Sequence, residues 1–483
     1  MRRLFSSEII KLLPILALAC YFALIPHLDD DYPVHVDEWA HLTYTKALQE
    51  AESIDFTEPF PTSLYPTDVQ DPEIGYHVFL SMFQDMTGIS WLTFFKYFPS
   101  IVFMITVLSV YILGRREGYG WPAALAACLI PTSVGILGPA FMVPMAVGLL
   151  FIPLCLFLAF NFRTWASYLL LFILSSFLLI LHPPTAIALL IIFVPYILLN
   201  LKSNIRHSLK TAMAIGAPFL ALLILFFNSL LDEAKQLLDE QSLEWFVSYP
   251  DVLETYGYIP VVLAFLGIIV LAVRGNIKSY GLILSMFALI AVLLVFLRLH
   301  YGSPIWYNRG LTYVLLMMSI LTGAGLQWVK SKGLPIKPDG KLRHFLAKNS
   351  GSIIYVCLII IIVAIAIPNR LDTNYYQMID DDEYERFVWI RDNISESHEI
   401  AVLNPWKATA LVAIADMGVV SRIHSHEAWV AKKTKEFLNK DCENTDFLRR
   451  YNASLIYTQS DCNNPDLVEV SEHIYILRET ERE

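Results

Sequence analysis

The sequence predicts a polytopic α-helical membrane protein with a small extracytoplasmic α/β domain at its C-terminal end, and three observations lead there. Of 483 residues, 56% are hydrophobic and only 17% charged, a balance that excludes a soluble globule. Apolar runs of about 17 to 25 residues recur along the chain, the length a helix needs to cross a hydrocarbon core of roughly 30 Å. Lys and Arg gather in alternate inter-span loops while Asp and Glu gather in the others. The formal net charge of -10 says little by itself, because orientation follows the basic residues beside the spans.

Residues 9–26 form the first span, long enough to cross and without a small-residue cleavage site, so it is expected to remain as an anchor. The polar stretch that follows is rich in Asp and Glu, holds Lys46 as its one basic residue, and reads as external. Within it, residues 37–52 and 74–86 carry helical patterns too polar to cross and are expected to lie at the membrane surface. The second span, 93–113, runs into Gly114-Arg115-Arg116, which marks the cytoplasmic side. Spans three and four, 121–136 and 141–160, are separated by Gly138-Pro139; spans five and six, 165–181 and 185–201, meet at His182-Pro183-Pro184. Span seven, 213–231, opens into an acidic external loop, 232–258. Span eight returns to Arg274 and Lys278, span nine covers 282–296, and span ten ends in a basic loop from Lys330 to Lys348. Span eleven, 352–368, delivers the tail to the outside. With a cytoplasmic N-terminus, about eleven spans put each basic cluster on one side. The expected organisation is a multi-span domain over 1–368, with a first external loop at 27–92, and an extracytoplasmic domain over 369–483 of a multi-pass plasma-membrane protein.

In the tail the composition becomes that of a soluble domain. Helices are expected at 382–393, at 405–416 with Pro405 in a tolerated first-turn position, and at 427–438. Strands are expected at 400–403, 419–423, 455–458 and 473–477, and their alternation with helices predicts an α/β layer. Four of the six cysteines, Cys20, Cys128, Cys155 and Cys357, lie in apolar segments, where a free thiol behaves as a small hydrophobe. Cys442 and Cys462 alone lie in polar sequence, on a side expected to be oxidising, and are expected to form a disulfide. No CxxC or Cys/His zinc spacing occurs.

The chain is organised around Val34-His35-Val36-Asp37-Glu38-Trp39-Ala40-His41. Two adjacent carboxylates and two histidines beside a bilayer are costly to leave unsolvated and are expected to line a polar cavity. Asp37-Glu38 also fits an N-cap followed by a dipole-favoured acid, which does not exclude chemistry. His41 follows Asp37 by four residues, so the two share a helix face and could hold a metal or a shared proton. A second constellation lies between spans nine and ten, where Arg298 and Arg309 flank His300, Tyr301, Trp306, Tyr307 and Asn308. The arginine fork suits phosphate and the aromatics suit a sugar, while an interfacial belt with snorkelling Arg explains the same residues. His182 reads either as part of a tight external turn or as a cavity-facing side chain. His424 and His426 could touch a metal or an acceptor, and are more simply surface residues. Asn393-Ile-Ser395 and Asn452-Ala-Ser454 match the glycosylation sequon.

The order of these motifs resembles a known family. A first span, the external His-x-Asp-Glu stretch, then Asp71-Pro72-Glu73-Ile74-Gly75-Tyr76-His77, Thr87-Gly88-Ile89-Ser90 and Phe98-Pro99-Ser100 together resemble the GT-C superfamily of membrane glycosyltransferases. Within it the chain is most similar to the protein mannosyltransferase and lipid A aminoarabinose transferase branch. The resemblance implies a GT-C-like fold, a polyprenyl-phosphate sugar donor, and Asp37 as catalytic acid/base residue. Two departures stand out: Gly138-Pro139-Ala140-Phe141 holds no second carboxylate, and no WWDYG-type motif occurs in the tail, which argues against en bloc glycan transfer to Asn.

The function these features imply is transfer of a sugar from a polyprenyl-phosphate-linked donor to a glycan, lipid or protein acceptor on the outer face of the cell envelope. Asp37 would take the acceptor proton, with Glu38 as alternative base or partner to a divalent cation, and Arg298 or Arg309 would steady the phosphate. His35, His41, His182, His300, Tyr301, Trp306 and Asn308 complete the candidate substrate-binding set. The residues establish no cofactor and leave a divalent cation open. Membrane lipid is the expected surrounding partner, and nothing points to nucleic acid. A transporter or flippase for lipid-linked glycans, or a non-catalytic scaffold, are the alternatives; against transport, the charged residues cluster at one external face and not at mid-bilayer.

Overall fold

The structure, a computed structural model, describes residues 7–57, 59–60, 71–133, 135–225, 249–299, 304–332, 341–375, 377–395, 398–423 and 428–478. It consists mostly of helices, as a chain must whose apolar segments satisfy their backbone polar groups internally. Among the described residues, eight helices are long and apolar enough to cross a membrane. Two further apolar helices, Trp165–Leu181 and Tyr258–Arg274, are shorter. Several of the expected spans recur with shifted ends. The second is Trp91–Arg116, the ninth Ile277–Leu299, and the eleventh lies within Lys341–Leu371. The helix expected over 213–231 already begins at Ile205 and is described to Leu225. The acidic loop expected at 232–258 lies mostly outside the described residues.

Residues form two compact units, Met1–Leu28 with Lys96–Tyr375, and Asp29–Phe95 with Tyr376–Glu483. The first loop is thus grouped with the tail. The reason is local packing described below.

In the first unit the expected third span is not one helix. Helix Gly120–Ala127 stops after eight residues, and the next described helix begins at Pro144. Pro131, Pro139 and Pro144 each lack a backbone donor, so a continuous helix cannot run through them undisturbed. Non-helical backbone at membrane depth must be enclosed by protein, and residues 122–132 are buried throughout. This segment tracks the first helix, Ser7–Leu24, and the 3-10 turn Ile25–His27 that follows it. Trp121 Nε1 donates to Lys11 O at 2.6 Å, Cys128 Sγ lies 3.5 Å from Ile15 O, and His27 Nε2 pairs with Ala140 O at 3.1 Å. Lys11 to His27 is about 24 Å of helix at 1.5 Å per residue, so residues 121–140 pass from one end of that helix to the other.

Helix Tyr258–Arg274 meets helix Pro304–Ser331 through two glycines. A Cβ on Gly267 would lie 1.9 Å from Leu321 O, and one on Gly325 would lie 2.0 Å from Leu263 O. Only hydrogen side chains allow this approach, the small-residue packing that drives helix association in lipid.

The second unit carries a five-stranded sheet. Strands β1 (Ile400–Val402), β2 (Gly418–Val419), β3 (Leu455–Tyr457), β4 (Leu467–Ser471) and β5 (Ile474–Leu477) lie in the order β2-β1-β3-β5-β4. β1 pairs parallel with β2 and β3, and β5 pairs antiparallel with β3 and β4. The sequence reading missed β4, whose outward Glu and Ser break the apolar pattern, and the short helix Thr445–Arg450. Helix Ala408–Ala415 begins after a turn at 405–407, so Pro405 precedes it instead of occupying its first turn. Cys442 and Cys462 are joined by a disulfide with Cα atoms 5.2 Å apart. Asn393 and Asn452 of the two sequons are exposed, and His424 and His426 lie outside the described residues.

Candidate functional site

The candidate site starts from the N-terminus of helix Val36–Ala51, in the second unit. Its N-cap is His35, not Asp37: His35 is extended (φ -95°, ψ 150°), and its Nδ1 accepts from the Asp37 N–H at 3.1 Å. Glu38 reaches back, its Oε2 accepting from the N–H groups of Val34 at 3.0 Å and His35 at 3.1 Å. Such a capping box satisfies donors that a helix start leaves orphaned, an effect of about 1 kcal/mol. Glu38 is thereby completely buried and committed to the backbone, while Asp37 remains half-buried in the same first turn, where the helix dipole favours its negative charge.

The helix is held against the tail. Trp39 is buried, Lys46 Nζ donates to Ala413 O at 2.6 Å, and Met378 N–H donates to Val34 O at 3.1 Å. Burial pulls the Lys46 ammonium below its ordinary value, with Asp416 and Glu50 opposing. Tyr32 donates to Asp381 Oδ1 at 3.0 Å and stacks on Tyr384 at 5.1 Å. These contacts explain why the first loop and the tail form one unit.

One turn beyond Asp37, His41 meets a second helix, Ile74–Thr87. His41 Nδ1 stands 3.0 Å from His77 Nε2, and His77 Nδ1 stands 2.5 Å from Asp71 Oδ2. Asp71 Oδ1 also accepts from the Glu73 N–H at 2.9 Å, and Glu73 Oε2 lies 4.0 Å from His41 Nε2. Both imidazoles are buried. The partners assign the tautomers: a carboxylate accepts, so neutral His77 carries its proton on Nδ1 and presents Nε2 as acceptor to the Nδ1–H of His41. His41 then holds its basic lone pair on Nε2, the nitrogen nearer Glu73. Burial pushes the Asp71 carboxyl up, but the hydrogen bonds from His77 and the Glu73 N–H outweigh it, leaving the group below its ordinary value. Tyr76 is buried edge-on to His41, and burial together with Glu38 and Glu73 pushes its phenol well up, so it stays protonated.

The tail contributes a cation that the sequence reading did not single out. Arg422 sits 4.4 Å from the Phe60 ring centre and 6.0 Å from that of Tyr44, and donates to Tyr44 Oη at 3.2 Å. Tyr44 in turn stacks on His77 at 5.4 Å. Asp71, Glu73 and His77 belong to the motif that carries the family resemblance, which by itself assigns them no roles. Two histidines opening two short helices of one loop was the available signal. For Arg422 there was none, since only the folded sheet brings it to the first loop.

The remaining candidates lie in the first unit. His182 is buried and caps helix Pro183–Ser203, its Nδ1 accepting from Thr185 N–H at 3.2 Å. Thr185 Oγ1 is 2.6 Å from that nitrogen and 2.7 Å from Tyr313 Oη. Arg298 is exposed near the end of helix Ile277–Leu299. Asn308 and Arg309 are half-buried near the start of helix Pro304–Ser331, where Tyr307 stacks on Phe296 at 5.4 Å. His300 and Tyr301 lie outside the described residues, as does the side chain of Trp306.

Among the described residues no three His, Cys, Asp or Glu side chains surround a common point as metal ligands would. The polar groups of the Asp71, His77 and His41 series face one another pairwise.

No protein-family model matches the chain, and no curated protein matches it. Solved structures do. The oligosaccharyltransferase of Archaeoglobus fulgidus without ligand matches at TM-score 0.65 and 12% identity, covering 92% of this chain and 69% of that one. The same archaeal enzyme, AglB, with an inhibitory peptide and a dolichol-phosphate matches at TM-score 0.61 and 12% identity, over 92% of this chain and 69% of that one. The mycobacterial arabinofuranosyltransferase AftD matches at TM-score 0.55 and 14% identity, over 97% of this chain and 37% of the larger one. Both neighbours are GT-C glycosyltransferases, and at these identities the likeness shows the fold. The chain has a GT-C-like fold.

Proposed function

We propose that the chain is a membrane glycosyltransferase that moves a sugar from a polyprenyl-phosphate donor to an acceptor on the outer face. The observation that carries this reading is the coincidence of a GT-C-like fold over 92% of the chain with a half-buried Asp37 one helix turn from the His41, His77 and Asp71 series. The archaeal neighbour has been solved with a dolichol-phosphate and with an acceptor peptide, which supports a lipid-phosphate donor and a separate acceptor.

In the proposed step Asp37 takes the proton of an acceptor hydroxyl as its oxygen attacks the anomeric carbon. The bond from that carbon to the donor phosphate oxygen breaks, and the phosphate departs as an anion. Asp37 and His41 share a helix face, so the proton can pass to the basic Nε2 of His41, which His77 and Asp71 orient. Arg298 and Arg309 remain the candidates for the phosphate, by the donor geometry of guanidinium. Glu38, committed to its cap, is assigned a positioning role. A divalent cation is left as a secondary reading, supported by one neighbour solved with Zn and sulfate.

The proposed topology has a cytoplasmic N-terminus, about eleven crossings, and the first loop and tail outside. Residues 29–95 and 376–483 fold as one unit and so share a side, which requires an even number of crossings between them. Counting the enclosed passage through 121–140 as a crossing meets that requirement.

The test is consumption of a lipid-linked sugar by the purified protein in liposomes. Release of polyprenyl phosphate that depends on an acceptor supports the reading, and movement of intact lipid-linked sugar across the bilayer without its consumption would replace it with transport.

A further inference from the structure

The sheet of the second unit carries a polar crevice separate from the histidine series. β1 lies between β2 and β3 and parallel to both. From β1 the chain passes through helix Ala408–Ala415 to β2 on one side, and then through helices Ala428–Leu438 and Thr445–Arg450 to β3 on the other. The gap at the carboxyl ends of β1 and β3 is therefore a topological switch point, where open α/β sheets present ligand crevices. A cavity of about 150 Å³ occupies that place. It is lined by Asn404 just after β1, by Thr458, Gln459 and Ser460 just after β3, and by Lys435 from helix Ala428–Leu438.

Its floor is prearranged. Glu383 is buried, and its Oε1 collects the Lys407 ammonium, Tyr457 Oη at 3.1 Å and Gln459 Nε2 at 3.0 Å. The Lys407 and Glu383 charges cancel, and the three bonds fix the rotamers of groups that border the cavity. Lys435 has no side-chain hydrogen bond or ion pair among the described residues, so among these residues the crevice carries one uncompensated positive charge. The Asn404 side-chain oxygen accepts from the Trp406 N–H at 3.2 Å, which leaves its NH₂ group for a ligand. At about 150 Å³ the cavity is smaller than the roughly 300 to 1,000 Å³ of pockets for drug-sized ligands, the scale of a single small ring and not of a chain.

From this geometry we infer that the crevice binds one acidic sugar residue. Amide and hydroxyl side chains in fixed positions pair with ring hydroxyls, each amide offering both donor and acceptor, and Lys435 pairs with the carboxylate. The site lies on the tail's own sheet and does not depend on the transfer reaction, so it stands or falls apart from that reading. It would give the protein a way to hold an anionic glycan beyond the reacting sugar.

The test is titration of the full-length purified protein with methyl glucuronide, methyl glucoside and acetate, followed by saturation-transfer NMR. Saturable binding of the glucuronide, weaker binding of the glucoside and still weaker binding of acetate are expected. Lys435→Gln should weaken glucuronide binding about tenfold, equivalent to about 1.4 kcal/mol, and leave glucoside binding unchanged. Asn404→Ala should weaken both sugars, and Lys432→Gln on the exposed part of the same helix should weaken neither. Equal binding of glucuronide and glucoside would overturn the acidic preference, and equal binding of acetate would reduce the crevice to an anion site. No saturable binding, or binding indifferent to Lys435→Gln and Asn404→Ala, would overturn the inference.

Discussion

His77 stands between His41 and Asp71, 3.0 Å from the imidazole of one and 2.5 Å from the carboxylate of the other, and so couples two short helices of the first loop through a directed series of protons. A carboxylate at one end fixes both tautomers, and the free energy of that arrangement must depend on the charge of Asp71.

The first prediction concerns pH. Because the folded carboxyl of Asp71 lies below its ordinary value, its stabilising effect is complete above the unfolded value of about 3.9 and is lost as pH falls through the lower folded one. Asp71→Asn should lower thermal stability at neutral pH and flatten the acid limb of the stability curve relative to the wild type. Parallel acid limbs in the two proteins would show that the hydrogen bond from His77 does not hold the Asp71 carboxyl down.

The second prediction tests the glycine contact. Gly267→Leu and Gly325→Leu each place a side chain against a backbone carbonyl, which the helices can relieve only by moving apart. Overpacking costs about 1 to 3 kcal/mol even in adaptable cores, so both variants should melt several degrees lower. Gly216→Leu, where a Cβ meets nothing within 4 Å, is the control and should melt like the wild type. An unchanged melting point in all three would contradict the close helix approach.

Much of this architecture was legible in the sequence because apolar length and basic-loop alternation are strong signals. Helix Val36–Ala51, helix Ile74–Thr87 and four of the five strands lie within a few residues of their expected places. The third span was not legible as it stands, since an apolar run looks the same whether it forms a lipid-facing helix or an enclosed irregular segment. Only the bonds of Trp121, Cys128 and Ala140 to the first helix and its turn distinguish them. The site divided similarly. Asp37 and His41 were visible as a helix face, but the N-cap role of His35 depends on its extended backbone, and the pairing of His41 with His77 depends on a tertiary contact.

The third prediction is that the Cys442–Cys462 bridge stabilises the tail. Closing a loop with a sequence separation of 20 restricts the unfolded chain by about 3 kcal/mol in the chain-entropy account. Cys442→Ser with Cys462→Ser should therefore lower the stability of the tail by up to that amount, read by hydrogen exchange at β3 and β5. Non-reducing peptide mapping that recovers both residues as free thiols would show that the bridge does not form.

The fourth prediction concerns sidedness. Lys432→Cys in the tail should react with an impermeant thiol reagent in intact cells, and Lys337→Cys in the basic loop should react only after permeabilisation. The reverse pattern would place the histidine series on the cytoplasmic side and would be incompatible with an external acceptor.

The central prediction is that Asp37 carries the chemistry. It occupies the first turn of its helix without serving as the cap, because His35 Nδ1 and Glu38 Oε2 already take the nearby backbone donors. Asp37→Asn therefore leaves the capping box intact and isolates the charge from the fold. Expression and melting temperature should stay near those of the wild type, while turnover of a lipid-linked sugar should fall by about 10² to 10⁴, the usual scale of general-base assistance. Glu38→Gln should behave differently, weakening the helix start by about 1 kcal/mol through its cap, with activity lost in proportion to stability. His41→Gln should slow turnover and alter its pH profile if the proton leaves Asp37 through the imidazole pair. Full activity in Asp37→Asn, in a protein shown to consume a lipid-linked sugar, would move the base to another residue and refute the mechanism proposed for this site.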